Sequence, residues 1–405
     1  MSTAQLQSAL TDLTRTSYSS TTAQSTAYNK YVDDLISANL GVIATRPLLS
    51  SLISSLSSAP SEVRVTVGSH ITDELASQAA SYEEQNSTVR EILASGYEEE
   101  EEWSKAAQAL QGIQLDSTQR QISDLVKTQT WVRIVRCYLE DDDTVSAETA
   151  LNKIKNSTSA LQVLQDSPEL QLHYQLSQAR ILDSRRDFLN AAAEYLQVSF
   201  SRAVAEEDRS QALSASIKTA ILAGAGAQRS RMLGRLYKDE RSLEVPEYAI
   251  LEKMYLDRLL APAEVKAFAE SLAPHQLAPT ADGSTVLSKA VTEHNLLATS
   301  RVYENISTLS LAALLDLQDS KDSTAAEKAE DVAARMIEQG RLKAEIDQIE
   351  GVIRFQTIED VAIGGQKQTL RQWDLGVLGL VEDVERIATG IAERYPALAD
   401  ETMVS

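Results

Sequence analysis

Three segments of this chain repeat one pattern, and that pattern admits few folds. Residues 91–112 hold an apolar run, Tyr97, a charged turn, Trp103 and the small pair Ala106-Ala107. Residues 132–154 hold Tyr138-Leu139, an acidic turn at Asp141-Asp142-Asp143, then Ala147 and Ala150. Residues 179–200 hold Ile181-Leu182, another charged turn, Phe188 and Ala191-Ala192-Ala193. Setting Ala107, Ala147 and Ala192 in register gives a period of about 40–45 residues, the size of a two-helix solenoid repeat. Alanines at matched places let neighbouring helices approach, and aromatics fill the space between pairs.

The rest of the chain agrees with a mainly helical fold. It has 15 glycines and 8 prolines in 405 residues, too few to punctuate a large sheet protein. Ala, Leu, Gln, Glu and Arg fill the long stretches, and these favour helix. Residues before about 27 are polar and weakly periodic, which predicts a frayed helix or a partly ordered lead-in. Tyr31, Leu35, Ile36, Leu40, Ile43 and Leu48 then fall near helical spacing, with Pro47 placed for the first turn of a new helix. The run Glu98 to Glu102 reads as an exposed turn between repeat helices, since the equivalent turns are also charged. Gly224-Ala225-Gly226-Ala227 reads as a helix–helix turn. It lacks the third glycine and the preceding strand of a dinucleotide-binding loop.

Pro274, Pro279 and Asp282-Gly283 mark a boundary, after which the rhythm changes. Ser284 is placed to cap a helix running to about Glu304, and Ser307 or Ser310 to begin a short second one. Thr324 starts a third helix, through Gln339, which Gly340 closes. Two strand-like stretches follow at 344–349 and 352–357, joined by Glu350-Gly351. Ile346, Ile349, Ile353 and Phe355 are expected on a common core and at a sheet edge open to pairing. Three helices and a hairpin form the winged-helix plan. Beyond it, Leu370, Trp373, Val377, Leu380, Val384, Ile387 and Ile391 are spaced alternately three and four apart, an a/d seam ended by Pro396. Such a helix must fold back on its own domain or enter a bundle with other chains, and the second apolar stripe of Leu378 and Val381 favours the bundle.

Catalytic constellations are not evident. His70, His173, His275 and His294 are scattered, and none has a second His or Cys at helical spacing, so no zinc site is expected. The lone Cys137 sits in an apolar run without a neighbouring base and reads as a core residue, in a chain suited to a reducing compartment. A net charge of −21 disfavours nucleic acid and anionic membranes. The third helix of the winged module repeats that bias, with Glu327, Glu330, Asp331 and Glu338 against Lys328 and Arg335. A protein–protein role is therefore expected, with no cofactor or metal.

Helical repeats, a winged helix and a terminal helix resemble the layout of PCI-domain proteins, found in the COP9 signalosome, the proteasome lid and a translation-initiation complex. Residues 228–233, 238–241 and 250–258 resemble the signalosome branch in particular. So do Pro274-His275-Gln276, residues 280–284, Glu293-His294-Asn295-Leu296-Leu297, residues 346–351 and Tyr138-Leu139-Glu140-Asp141-Asp142-Asp143. The resemblance implies a helical-repeat arm (1–200), the helical part of a PCI domain (201–283), its winged helix with a small sheet (284–363) and a long C-terminal assembly helix (364–405). It also implies a non-catalytic subunit of the assembly that removes Nedd8 from cullin–RING ligases, in cytoplasm and nucleus. The partners would be other PCI subunits, metalloprotease-like subunits, and the ligase through the N-terminal arm. A proteasome-lid subunit is the nearest alternative, and a nucleic-acid-binding winged helix a more distant one.

Overall fold

The structure is a computed structural model. It describes residues 3–356, apart from positions 17, 19, 39, 79, 117–120, 203, 280–283 and 320–322, together with Val384. Of the terminal seam, Val384 is helical and 57% exposed; Leu370, Trp373, Val377, Leu380, Ile387 and Ile391 lie outside the described residues. The chain divides into two compact units. The first takes residues 1–223, 231–251 and 272–278, the second residues 224–230, 252–271 and 279–405.

The first unit opens with α1 (Thr3–Arg15), α2 (Thr21–Ser37), α3 (Val42–Leu56) and α4 (Ser61–Leu75). The opening stretch is helical, as one of the two expectations had it, but packed rather than frayed. Leu6 and Leu10, one turn apart, are buried in a core with Tyr28, Tyr31, Val32 and Leu52. The Tyr31 hydroxyl donates to the Leu6 carbonyl at 3.2 Å. Two leucines suffice to anchor this helix, and they were hard to see among serines and threonines that bond back to their own helix carbonyls. Pro47 lies inside α3, one turn beyond the expected position. Its missing N–H leaves the Ile43 carbonyl without its helical donor, and Ile43 is 92% exposed, where water can reach that turn.

The repeats are three helix pairs: α5 (Glu83–Glu99) with α6 (Trp103–Gln111), α7 (Asp124–Glu140) with α8 (Thr144–Lys155), and α10 (Pro168–Ser184) with α11 (Phe188–Phe200). An additional helix, α9 (Thr158–Asp166), is inserted before the last pair. Ala107, Ala147 and Ala192 have no exposed surface. The turns share one device. Glu101, Asp142 and Arg186 adopt left-handed conformations (φ 59°, 58° and 64°). The next amide bonds back five residues, Glu102 to Tyr97 O, Asp143 to Tyr138 O and Asp187 to Leu182 O, at 2.9–3.0 Å. This is the Schellman closure of a helix C-terminus. Each time an acidic residue (Glu102, Asp143 or Asp187) then precedes the second helix, where negative charge suits the helix dipole. The chain continues through α12 (Glu206–Leu222), α13 (Ala227–Tyr237), α14 (Tyr248–Tyr255) and α15 (Pro262–Glu270).

In the second unit α16 (Val286–Val302) begins at Thr285, whose hydroxyl accepts from Ser288 N; the expected cap was one residue earlier. Next come β1 (Asn305–Ser307), a strand that was not expected, and α17 (Thr308–Leu314), capped by Ser307. Then α18 (Ala325–Glu338) starts with a capping box between Thr324 and Glu327 and ends at Gly340, φ 66°. Strands β2 (Ala344–Asp347) and β3 (Val352–Phe355) complete an antiparallel sheet of order β1-β3-β2. Leu296, Leu311, Ala329, Ala333, Met336 and Ile353 form its core.

A left-handed residue with a side chain costs about 1–2 kcal/mol, which glycine avoids at some cost in chain entropy. Glu101→Gly should therefore stabilise the first unit by about 0.5–1 kcal/mol. The check is the midpoint of its urea transition, with m unchanged.

Candidate assembly surface

The winged-helix sheet is small, and its topology decides which strand can meet a partner. Strand β3 is central: Ile353 opposes Ile306 on one side and Ile346 on the other. Ile353 and Phe355 are buried core residues and cannot form the open edge expected of them. Ile346, on the outer strand β2, is half-buried and does lie on an edge strand. Ile349 does not join the core; it is 99% exposed at the tip of the wing. Its position follows from the turn. Asp347 Oδ1 accepts from the amides of Ile349 (3.2 Å) and Glu350 (3.1 Å), and Gly351 takes φ 63°. That Asx-type turn lifts Ile349 out of the strand alternation. A shallow recess of about 460 Å³ lies beside it, lined by Glu330, Ala334, Glu345, Ile346, Gln348 and Arg354 among others.

Three consecutive polar residues of α16 are buried, and each ties the helix to a different place in the same unit. Glu293 accepts from Ala225 N at 3.1 Å and from Arg341 through both carboxylate oxygens. Burial pushes its carboxyl up, but the Arg341 and Ala225 hydrogen bonds outweigh that and hold it below the usual range. His294 Nε2 lies 2.9 Å from Arg258 O, as a satisfied core histidine should. Asn295 accepts from Leu260 N at 3.0 Å and donates to Leu260 O at 3.2 Å. Arg229 is nearly buried near Glu293, and desolvation lowers it to about 10.

The first unit uses the same economy. Glu98 and Glu99 belong to α5, so the glutamate run is only partly an exposed turn. Glu98 receives Arg133 Nε at 2.7 Å and Nη2 at 2.9 Å, joining one helix pair to the next. Arg180 repeats the link to Glu140 (2.6 Å) and to Leu139 O (3.0 Å). Glu98 also accepts from the Cys137 thiol at 3.3 Å, at the wall of a cleft of about 580 Å³ shared with Trp103, Arg136 and His173. Burial, with the Glu98 charge, pushes that thiol up to about 12 despite Arg133 and Arg136. The thiolate that nucleophilic chemistry needs is absent near neutral pH. Asp183, buried, accepts from Gln276 Nε2 at 2.8 Å and meets His275 Nε2 at 3.1 Å.

The histidines are thus dispersed as expected, with one addition: His70 stands with Asp33 and Glu74, a grouping considered below. Helix α18 keeps its acidic balance, with Glu327 engaged in its cap and Glu330 in a bond from Gln348. That is a poor surface for a phosphate backbone. Among the described residues no helix is long and apolar enough to cross a membrane.

Comparison with known proteins places these features. The PSMD12/CSN4 N-terminal family model matches residues 2–207, and the PCI domain model matches residues 265–357. The COP9 signalosome complex subunit 4 of Emericella nidulans is 56% identical over 365 residues, 90% of this chain and 88% of the relative. The chain belongs to the COP9 signalosome subunit 4 family. The subunit 4 of Neurospora crassa is 46% identical over 393 residues (90% of this chain, 87% of the relative), and that of Arabidopsis thaliana 41% over 372 (90% and 89%). The strings by which the chain resembles this family coincide with polar ties: Glu293-His294-Asn295, His275-Gln276 and the wing turn at Asp347, described above, and also Arg241, which bonds Asp239 and Ser199 O.

Two expectations follow. Burial lowers the pKa of His294 despite its bond to Arg258 O. Its contribution to stability is therefore complete above the ordinary imidazole value and is lost as pH falls from there toward the folded one. His294→Gln should reduce the loss of stability between roughly pH 7 and pH 5, read by urea unfolding at each pH. Cys137 should react with a thiol reagent at pH 8 only after denaturation, measured by labelling with and without urea.

Proposed function

We propose that the chain is a non-catalytic scaffold and substrate-sensing subunit of the COP9 signalosome, the assembly that removes Nedd8 from cullin–RING ubiquitin ligases. The observation that carries this reading is 56% identity to a COP9 signalosome complex subunit 4 across 90% of the chain. In this reading the isopeptidase chemistry belongs to another subunit, in keeping with the buried thiol and dispersed histidines here. Residues 1–200 form the arm that meets the ligase. Residues 201–283 and 284–363 form the two parts of the PCI domain, and 364–405 the assembly helix. The outer edge of β2, with Ile346, and the exposed wing residue Ile349 offer the winged helix to neighbouring PCI subunits. The seam through Leu370, Trp373, Val377, Leu380, Val384, Ile387 and Ile391 enters a helical bundle with PCI and metalloprotease-like subunits, in the cytoplasm and nucleus. Val384, helical and exposed, is available for such packing.

Replacing Val377, Leu380 and Val384 together by aspartate should release the chain from the complex while its circular dichroism stays near wild type. Co-purification with mass identification of partners reads the result. Normal co-assembly of the triple variant would remove the bundle role, and recovery of proteasome subunits instead would change the assembly assigned.

A further inference from the structure

The one group of metal-ligating side chains found among the described residues lies in the first unit, away from the winged helix. His70 and Glu74 are four residues apart on α4, so they share a helix face. Asp33 comes from α2, which packs beside α4. One ligand atom from each of the three lies within 4.8 Å of the others, and His70 Nε2 is 2.8 Å from Asp33 Oδ1. We propose that Asp33, His70 and Glu74 bind a divalent transition-metal ion, with Zn²⁺ preferred, that ties α2 to α4.

The donor set selects the ion. One imidazole nitrogen with two carboxylate oxygens suits Zn²⁺ and its neighbours, whereas Mg²⁺ and Ca²⁺ call for oxygen ligands throughout. Three protein ligands with a fourth position for water is a common arrangement at zinc. Ligand atoms around zinc stand about 3.4 Å apart for bonds near 2.1 Å, so closure from the observed spacing needs side-chain rotation only.

Charge points the same way. Several other carboxylates between helices of this unit are answered by arginine: Glu99 by Arg64, Glu98 by Arg133, Glu140 by Arg180, Glu148 by Arg185. Here two carboxylates face one imidazole, which a dication would balance. Asp33 and Glu74 are exposed and His70 half-buried, so an ion can reach all three from solvent, and Glu74 also borders a small cavity of about 110 Å³ lined by Val32, Leu35, Ile36, Ile71 and Leu75 together with Thr45 and Gln78. The sequence signal was a His with a carboxylate at i+4, overlooked when only His and Cys were considered as second ligands.

The test uses the full chain, stripped with EDTA and desalted, then titrated with ZnCl₂ by calorimetry and examined by native mass spectrometry. One equivalent is expected, with a rise in thermal midpoint that Mg²⁺ does not reproduce. His70→Ala and Glu74→Gln should each abolish both effects. Asp33→Asn, which can still bond His70, should weaken binding while preserving the metal-free melting temperature, and His173→Ala should keep the full equivalent. No bound equivalent, one that survives His70→Ala, or equal binding of Mg²⁺ would each overturn the site.

Discussion

A helix that must turn back within three residues needs one residue in left-handed conformation, and this chain meets that need repeatedly without glycine. Glu101, Asp142 and Arg186 do so in the repeats, and Asp257 and Asp316 later in the chain. At all five the following amide reaches back five residues to close the helix end. The tight reversal brings the second helix of each pair against the first, and only then do Ala107, Ala147 and Ala192 matter, because a larger side chain would hold the helices apart. The charges at these turns serve geometry as well. Acidic residues precede the second helices, while Glu98 and Glu140 reach across to arginines of the next pair.

Much of this was legible from the sequence where a rule is local. The alanine period marked the helix pairs. Thr324 and Gly340 marked both ends of α18, because a capping threonine and a left-handed glycine carry their own signals, and the structure adds Glu327 to complete a capping box. What failed depended on partners distant in sequence. The three residues of β1 have no periodicity of their own and become a strand because Ile306 finds Ile353. Ile349 resembled a core residue until the Asp347 turn removed it from the strand. Leu6 and Leu10 pack a helix that reads as frayed, because Tyr31 and its neighbours cover them. The grouping of Asp33 with His70 and Glu74 likewise required knowing that α2 lies beside α4.

The buried polar residues serve packing. Glu293, His294, Asn295 and Asp183 are the sort of residues a search for catalysis would select, yet every one has hydrogen-bond partners within its own unit. Their pairing specifies which turn each helix meets, a role apolar packing performs less selectively. Family resemblance then rests on such ties as much as on an active site: an altered partner leaves a buried charge or amide unsatisfied.

The spacing of these ties has a kinetic side. Within each helix pair the closing bonds span five residues, and the ties between pairs span about forty or fewer, so a pair can form and dock soon after it is made. Asp183 is different: its partners His275 and Gln276 arrive 92 and 93 residues later. During synthesis its carboxylate stays open to water while α11 to α15 are added. In chain order the first unit is completed by a short segment, residues 272–278, whose His275 and Gln276 cover Asp183.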